Sequence, residues 1–379
     1  MELGLYLHLP FCKAKCFYCD FNSYPIKEEK EVLPYVSSLY REIDLYAKKF
    51  KNATLKTIYW GGGTPTILSG NWISNIINFL KDNFNTAPNM EITVEANPGT
   101  IDKEKLDLLL KAGVNRLSLG AQSFNDYFLK RLGRIHTVPD IISSYLQARE
   151  SGFDNINLDI MFALPDQTLS DFQSSVKKAV ALKPDHLSLY NLTLEEGTEF
   201  FKSWEEGRLN LPDEEVECAM YSWAIDFLKK NGFEHYEISN FARPSKRSLH
   251  NQIYWHNQPY LGIGAGASSF IKGYRYMNFK DPQRYIQEVE RGKFPIEEGE
   301  KLPRRKRMGE TIILGLRTKE GVSYQEFKDR FKIGMDKIFS SQIAQLVDSG
   351  LLKRDEDKIQ LTPRGLFLAN YVFQEFVDG

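Results

Sequence analysis

The chain has 379 residues, of which 42% are hydrophobic and 26% charged, so it reads as a globular protein with one large domain and one small one. Its formal net charge of −1 provides no overall basic field to draw it to nucleic acid or a membrane surface. The start, MELGLYLHLP, lacks the basic segment and apolar run of a signal peptide, and nothing approaches the roughly 18 apolar residues of a membrane span. The expectation is a cytoplasmic protein with no direct membrane insertion.

Leu3–Leu9 reads as a first strand, ended by Pro10 and followed by a loop holding Cys12, Cys16 and Cys19. Residues 31–49 carry Val32, Tyr35, Val36, Leu39, Tyr40, Ile43 and Tyr46 at helical spacing. Thr57-Ile58-Tyr59-Trp60 is a second strand running into Gly61-Gly62-Gly63-Thr64-Pro65, with a helix over Trp72–Leu80. A strand at Glu91–Glu95 leads to Asn97-Pro98-Gly99 and a helix stopped by Gly113. Arg116–Leu119 ends at Gly120-Ala121-Gln122-Ser123, and helical stretches flank Gly133-Arg134. The strand Asn155–Ile160, a helix over 168–182 and the strand His186–Tyr190 complete six strand–helix alternations. Such alternation predicts an α/β fold with a parallel sheet and right-handed crossovers. Glycine and polar residues gather at the strands' C-terminal ends, the active-site face of a barrel-like sheet.

The sequence divides into a barrel over 1–200, an extension over 201–300 and a C-terminal module over 301–379. Gly262–Ser269 is glycine-rich without the strand–turn–helix context of a dinucleotide fingerprint, so close backbone packing or approach to a cofactor is expected. Helices at 304–316, 323–331 and 335–349, then a hairpin and a Thr362-Pro363 helix start, predict a mostly helical, winged-helix-like module. Its turn carries Asp355, Glu356 and Asp357 where a DNA-binding wing would meet phosphate, and Arg304–Arg307 reads as a solvated helix face.

Three of the four cysteines fall in one C-x3-C-x2-C run. Thiolates are soft ligands that favour iron–sulfur clusters, zinc or copper(I). A zinc site needs a fourth ligand with paired spacing elsewhere, and Cys218 stands alone. Three thiolates can hold three corners of a 4Fe-4S cube and leave one iron open to a ligand with amino and carboxylate groups. S-adenosylmethionine (SAM) has both. This spacing after a strand resembles the radical SAM superfamily, which implies a partial six-stranded (β/α)6 barrel, a 4Fe-4S cluster and SAM reduced to a 5′-deoxyadenosyl radical.

Further motifs narrow the resemblance. Tyr6-x-His8-x-Pro10-Phe11-Cys12, Gly61-Gly62-Gly63-Thr64-Pro65, Glu95, Gly120-Ala121-Gln122-Ser123-Phe124, Arg134, and Asp159 with Leu164-Pro165-x-Gln167-Thr168 are similar in order and spacing to the oxygen-independent coproporphyrinogen III oxidase group. The resemblance implies that Tyr6, Gly62 and Glu95 touch one SAM, that Gln122, Arg134 and Asp159 hold a second, and that Gly63 and Thr64 lie between. Phe21 stands where the oxidase has a fourth cysteine, and the chain starts only five residues before Tyr6, without the oxidase's N-terminal extension. His250-Asn251-Gln252-Ile253-Tyr254-Trp255 resembles the H-N-x-x-Y-W motif of that group's haem-chaperone branch. This implies haem as a ligand, His250 as its axial residue and transfer to recipient haemoproteins, including those of the respiratory chain, without coproporphyrinogen III oxidase activity. His256 and Cys218 are further axial candidates, and Arg243, Lys246 and Arg247 could pair with propionates. The resemblance also implies a cluster-dependent homodimer. The alternative reading is the decarboxylating oxidase itself.

Overall fold

The computed structural model describes residues 1–377. Strands β1 (Glu2–Leu9), β2 (Thr54–Gly62), β3 (Asn85–Ala96), β4 (Arg116–Gln122), β5 (Ile156–Phe162) and β6 (His186–Asn191) pair in sequence order, all parallel. The crossovers are α1 (Leu33–Lys49), α2 (Gly70–Asn83), α3 (Lys103–Lys111), the pair α4 (Asp126–Arg131) and α5 (Val138–Ser151), and α6 (Leu169–Ala181). One face of each strand is apolar: Leu5, Leu7, Ile58, Trp60, Leu117 and Leu158 are fully buried in a core shared with Leu39, Ile43, Ile77 and Leu109 of the helices. Each such aliphatic side chain contributes about 1.5–3 kcal/mol on full burial. The opposite face is polar, and its side chains bond to one another across the lumen.

The sheet continues past the barrel on both sides. After α7 (Glu199–Glu205) and α8 (Glu214–Lys230), β7 (Glu234–Glu237) and β8 (Asn240–Ala242) extend it beyond β6. On the other side β9 (Tyr260–Ile263) pairs parallel with β1. Then β10 (Ser268–Ile271), β11 (Tyr274–Asn278) and β12 (Ile296–Lys301) follow antiparallel. The result is one open 12-stranded sheet in the order β12-β11-β10-β9-β1-β2-β3-β4-β5-β6-β8-β7. Between β8 and β9 the chain forms a short helix, α9 (Leu249–Trp255), under the N-terminal ends of the barrel strands. There Ile253 packs on Gly4.

The glycine-rich stretch makes the close backbone packing expected of it. The Gly264 N–H donates to Glu42 at 2.8 Å and the Ala265 N–H to the Tyr35 hydroxyl at 2.8 Å. Glu42 also accepts from Tyr285 at 2.6 Å and Asn278 at 2.7 Å, which pins α1 to α10 (Pro282–Glu290) and β11. Burial pushes its carboxyl up to about 7.

The C-terminal module has its own core of Ile312, Phe327, Phe339, Ile343 and Ile359. It contains α11 (Arg304–Leu316), α12 (Tyr324–Phe331), α13 (Asp336–Asp348), α14 (Pro363–Phe367) and α15 (Ala369–Gln374). Strands β13 (Val322–Ser323), β14 (Leu352–Arg354) and β15 (Lys358–Leu361) form a small antiparallel sheet. Thr362 caps α14 by accepting from the Gly365 N–H at 2.9 Å. Arg304, Arg305 and Lys306 lie exposed on α11.

Candidate functional site

The end of β1 delivers the cysteine loop to the C-terminal face of the barrel. Cys12, Cys16 and Cys19 line one cavity of about 510 Å³ there. So do Gly62 at the end of β2, Gly63 and Thr64 just after it, Glu95 from β3, Gln122 from β4, Arg134, and Asp159 from β5. Of the predicted SAM residues only Tyr6 stands behind the wall: its hydroxyl bonds His8 Nδ1 at 2.9 Å and its ring stacks on Tyr59.

Successive strand ends converge because each parallel strand leaves the sheet in the same direction. Gly62 has φ +112°, a backbone that L side chains rarely adopt, and a Cβ there would meet the His8 ring at 2.7 Å. A Cβ on Gly63 would fall 2.3 Å from the Phe11 carbonyl oxygen, so only glycine lets this turn close on the cysteine loop.

Two hydrogen bonds reach the cysteines from the barrel. The Thr64 hydroxyl donates to Cys12 Sγ at 3.5 Å, and the Arg134 guanidinium to Cys16 Sγ at 3.4 Å. Asn97 joins them, donating to Thr64 at 2.7 Å and accepting from Arg134. Sequence reasoning missed Asn97 as a site residue, although its place beside Pro98-Gly99 at the end of β3 was visible. Burial raises the thiols of Cys12 and Cys19 above the ordinary cysteine value.

Glu95 accepts from the Tyr59 hydroxyl at 2.7 Å and the Gly62 N–H at 3.2 Å. Burial pushes it up to about 7. Asp159 is likewise raised by burial, while accepting from Asn157 at 2.8 Å and Ser118 at 3.2 Å. Tyr59, Ser118 and Asn157 were not singled out from sequence. Their signal was the alternation that places them on the face of Glu95 and Asp159. Gln122 sits at φ 63°, which turns its amide into the cavity at the β4 bulge.

The donor set fits a 4Fe-4S cluster with SAM. The three thiols line the same cavity as Gly62, Glu95 and Arg134. Three thiols on one loop suit a cube held at three corners, with the fourth iron left to a ligand. Arg134 bonds Cys16, Asn97 and the Gly120 carbonyl, none of them a carboxylate, so its charge can complement thiolate or a SAM carboxylate.

Comparison with known proteins agrees. Residues 6–179 match the radical SAM superfamily model and residues 302–368 the HemN C-terminal domain model. The chain is 38% identical to the haem chaperone HemW of Lactococcus lactis, covering 98% of this chain and 96% of that protein. It is 39% identical to the haem chaperone HemW of Bacillus subtilis, covering 98% of both. This chain belongs to the HemW family. The solved structure of Escherichia coli coproporphyrinogen III oxidase (HemN), a radical SAM enzyme, superposes with a TM-score of 0.87 at 27% identity, covering 99% of this chain and 90% of that one.

The expected radical SAM barrel and C-terminal module are therefore present in this HemW-family chain, and no helix among the described residues is long and apolar enough to cross a membrane. Phe21 is 61% exposed at the cavity mouth. His250 does not fit the expected role of axial haem ligand. It is 1% exposed, on α9 at the opposite end of the barrel from the cysteines. Its Nδ1 bonds Thr57 at 2.7 Å and its Nε2 bonds Tyr254 at 2.8 Å, so both ring nitrogens are hydrogen-bonded within the protein. The cations expected at propionates are also engaged: Arg243 with the Asn231 carbonyl, Lys246 with the Asp154 carbonyl, Arg247 with Glu234 and Glu320. Arg317 covers the Trp255 ring at 4.5 Å. His256 is exposed at the end of α9, and Cys218 is exposed on α8, away from the cysteine loop in sequence and absent from its cavity lining.

Proposed function

We propose that this chain is a haem chaperone that carries a 4Fe-4S cluster with SAM, binds haem and delivers it to recipient haemoproteins. The observation that carries this reading is the likeness to haem chaperones over 98% of the chain. Cys12, Cys16 and Cys19 hold the cluster; Gly62, Gly63, Thr64, Glu95, Gln122, Arg134 and Asp159 hold SAM. With SAM bound, the cluster supplies electrons to the sulfonium. The chain's own part is to orient SAM by Glu95 and Asp159 and to keep the thiolates hydrogen-bonded by Thr64 and Arg134. A cytoplasmic setting suits the oxygen-sensitive cluster, recipients include respiratory haemoproteins, and cluster loading promotes a homodimer.

The second reading is coproporphyrinogen III decarboxylation, favoured by the 0.87 TM-score to the oxidase. An anaerobic haem titration of the cluster-reconstituted protein, followed by absorption, separates them. Saturation at one haem per chain, with transfer to an apo-haemoprotein, supports the chaperone. Unsaturable haem uptake together with turnover of coproporphyrinogen III supports the oxidase.

A further inference from the structure

The H-N-x-x-Y-W segment leaves a question: what does a fully engaged histidine do beneath a SAM site? Helix α9 lies across the bottom of the barrel and is hydrogen-bonded to both of its walls. On the β2 side, His250 bonds Thr57, and its ring stacks on Tyr59 with centroids 5.1 Å apart. Tyr59 in turn donates to Glu95 in the cavity. Tyr254 bonds the far nitrogen of His250 and so fixes the ring's rotation. On the opposite wall, the Ser248 N–H donates to the Tyr236 hydroxyl, which bonds His186 Nε2 at 2.8 Å. His186 Nδ1 bonds Asn157 Oδ1 at 2.6 Å, and the Asn157 amide donates to Asp159. Both histidines are neutral in this setting, because burial lowers them and Arg116 adds to the effect. Each therefore offers one donor and one acceptor, and at His186 the Asn157 Oδ1 acceptor makes Nδ1 the donor.

We propose that α9 is a keystone that positions the SAM-holding carboxylates: His250 and Tyr254 set Tyr59 under Glu95, and Ser248 sets the Tyr236–His186–Asn157 chain under Asp159. His250 is then a positioning residue for the SAM site, and haem binds without it. The inference rests on the reading of Glu95 and Asp159 as SAM ligands.

The test is SAM affinity of the cluster-reconstituted protein, measured by calorimetry from pH 6 to 8, with haem stoichiometry and iron content alongside. Glu95 faces Tyr59, Asp159 and Arg116 and lies near 7, so wild-type affinity strengthens across this range. His250→Phe keeps the ring and loses both bonds; SAM affinity is expected to fall about tenfold and its pH midpoint to rise, with haem stoichiometry and iron content unchanged. Tyr254→Phe removes one bond, and a fall of about threefold is expected; this variant carries the test if His250→Phe fails to fold. His250→Gln, which can bond one partner, is expected to recover part of the affinity. SAM affinity and midpoint unchanged in both ring variants, or haem binding lost from His250→Phe with SAM affinity intact, overturns the proposal. A wild-type protein that binds no SAM overturns the SAM reading itself.

Discussion

Glu91 is the anchor of α9 and its removal can be worked through. The side chain is buried on β3 and accepts from the Leu249 N–H at 3.0 Å and the His250 N–H at 2.9 Å. Hydrogen bonds to a charged group contribute about 1.5–3 kcal/mol each, and the helix dipole adds up to about 1. In Glu91→Ala the buried His250 N–H loses its partner, whereas the Leu249 N–H lies nearer the surface and regains water. Relief of the carboxylate's desolvation offsets part of the loss, so the net cost is about 2–4 kcal/mol. A chain of 379 residues has an unfolding entropy near 0.8 kcal/mol/K at about 2.1 cal/mol/K per residue. A loss of about 3 kcal/mol thus lowers Tm by about 4 °C. Calorimetry measures that shift, and hydrogen exchange of peptides spanning Leu249–Trp255 shows whether the loss is local. Glu91→Gln, keeping one acceptor, is expected to lose about half as much. A Tm within about 1 °C of wild type, with α9 amides still protected, would refute the reasoning.

Glu42 gives a pH signature. Its folded carboxyl is raised to about 7 from an unfolded value of 4.5, so the stability it contributes is full below 4.5 and is lost as pH rises through 7. The loss totals about 3 kcal/mol, and denaturant midpoints for Glu42→Gln are expected to be flatter across that window. Arg134→Gln removes the cation beside Cys16, and an anaerobic redox titration is expected to find the cluster potential lowered by on the order of 60 mV, with Arg134→Lys intermediate. Gly63→Ala puts a methyl 2.3 Å from the Phe11 carbonyl oxygen, and iron analysis is expected to find reconstitution impaired, with about 1–3 kcal/mol of stability lost.

The barrel was legible because its outward faces keep strict apolar alternation and its strand ends carry glycine and proline. The lumen was harder. Arg116, Ser118, Asn157, Asp159 and His186 occupy alternate positions that read equally well as a solvent-facing side, and sequence does not tell water from a shared polar interior. Strand β3 begins at Asn85 rather than near Glu91, because pairing with Thr54 and Leu55 overrides the poor strand propensity of Asn85, Pro88 and Asn89. The extension over 201–300 gave few signals, since its strands span only three to six residues and owe their place to neighbours distant in sequence. His250 drew a haem role from its motif; only the packing of α9 against β2 reveals both ring nitrogens as taken.

The pairing of β1 has a consequence for the order of events during synthesis. Gly4 takes Thr57 on one side and Tyr260 on the other. At about 5–20 residues per second, the second partner arrives roughly 10–50 seconds after Gly4 is made. Until then the strand that presents Cys12 has an open edge, able to pair with another nascent chain. The cysteines leave the ribosome well before Tyr260 is made, so the scaffold that aims them at the cavity closes late. Metal loading before Tyr260 is made would therefore meet thiols on a half-built wall.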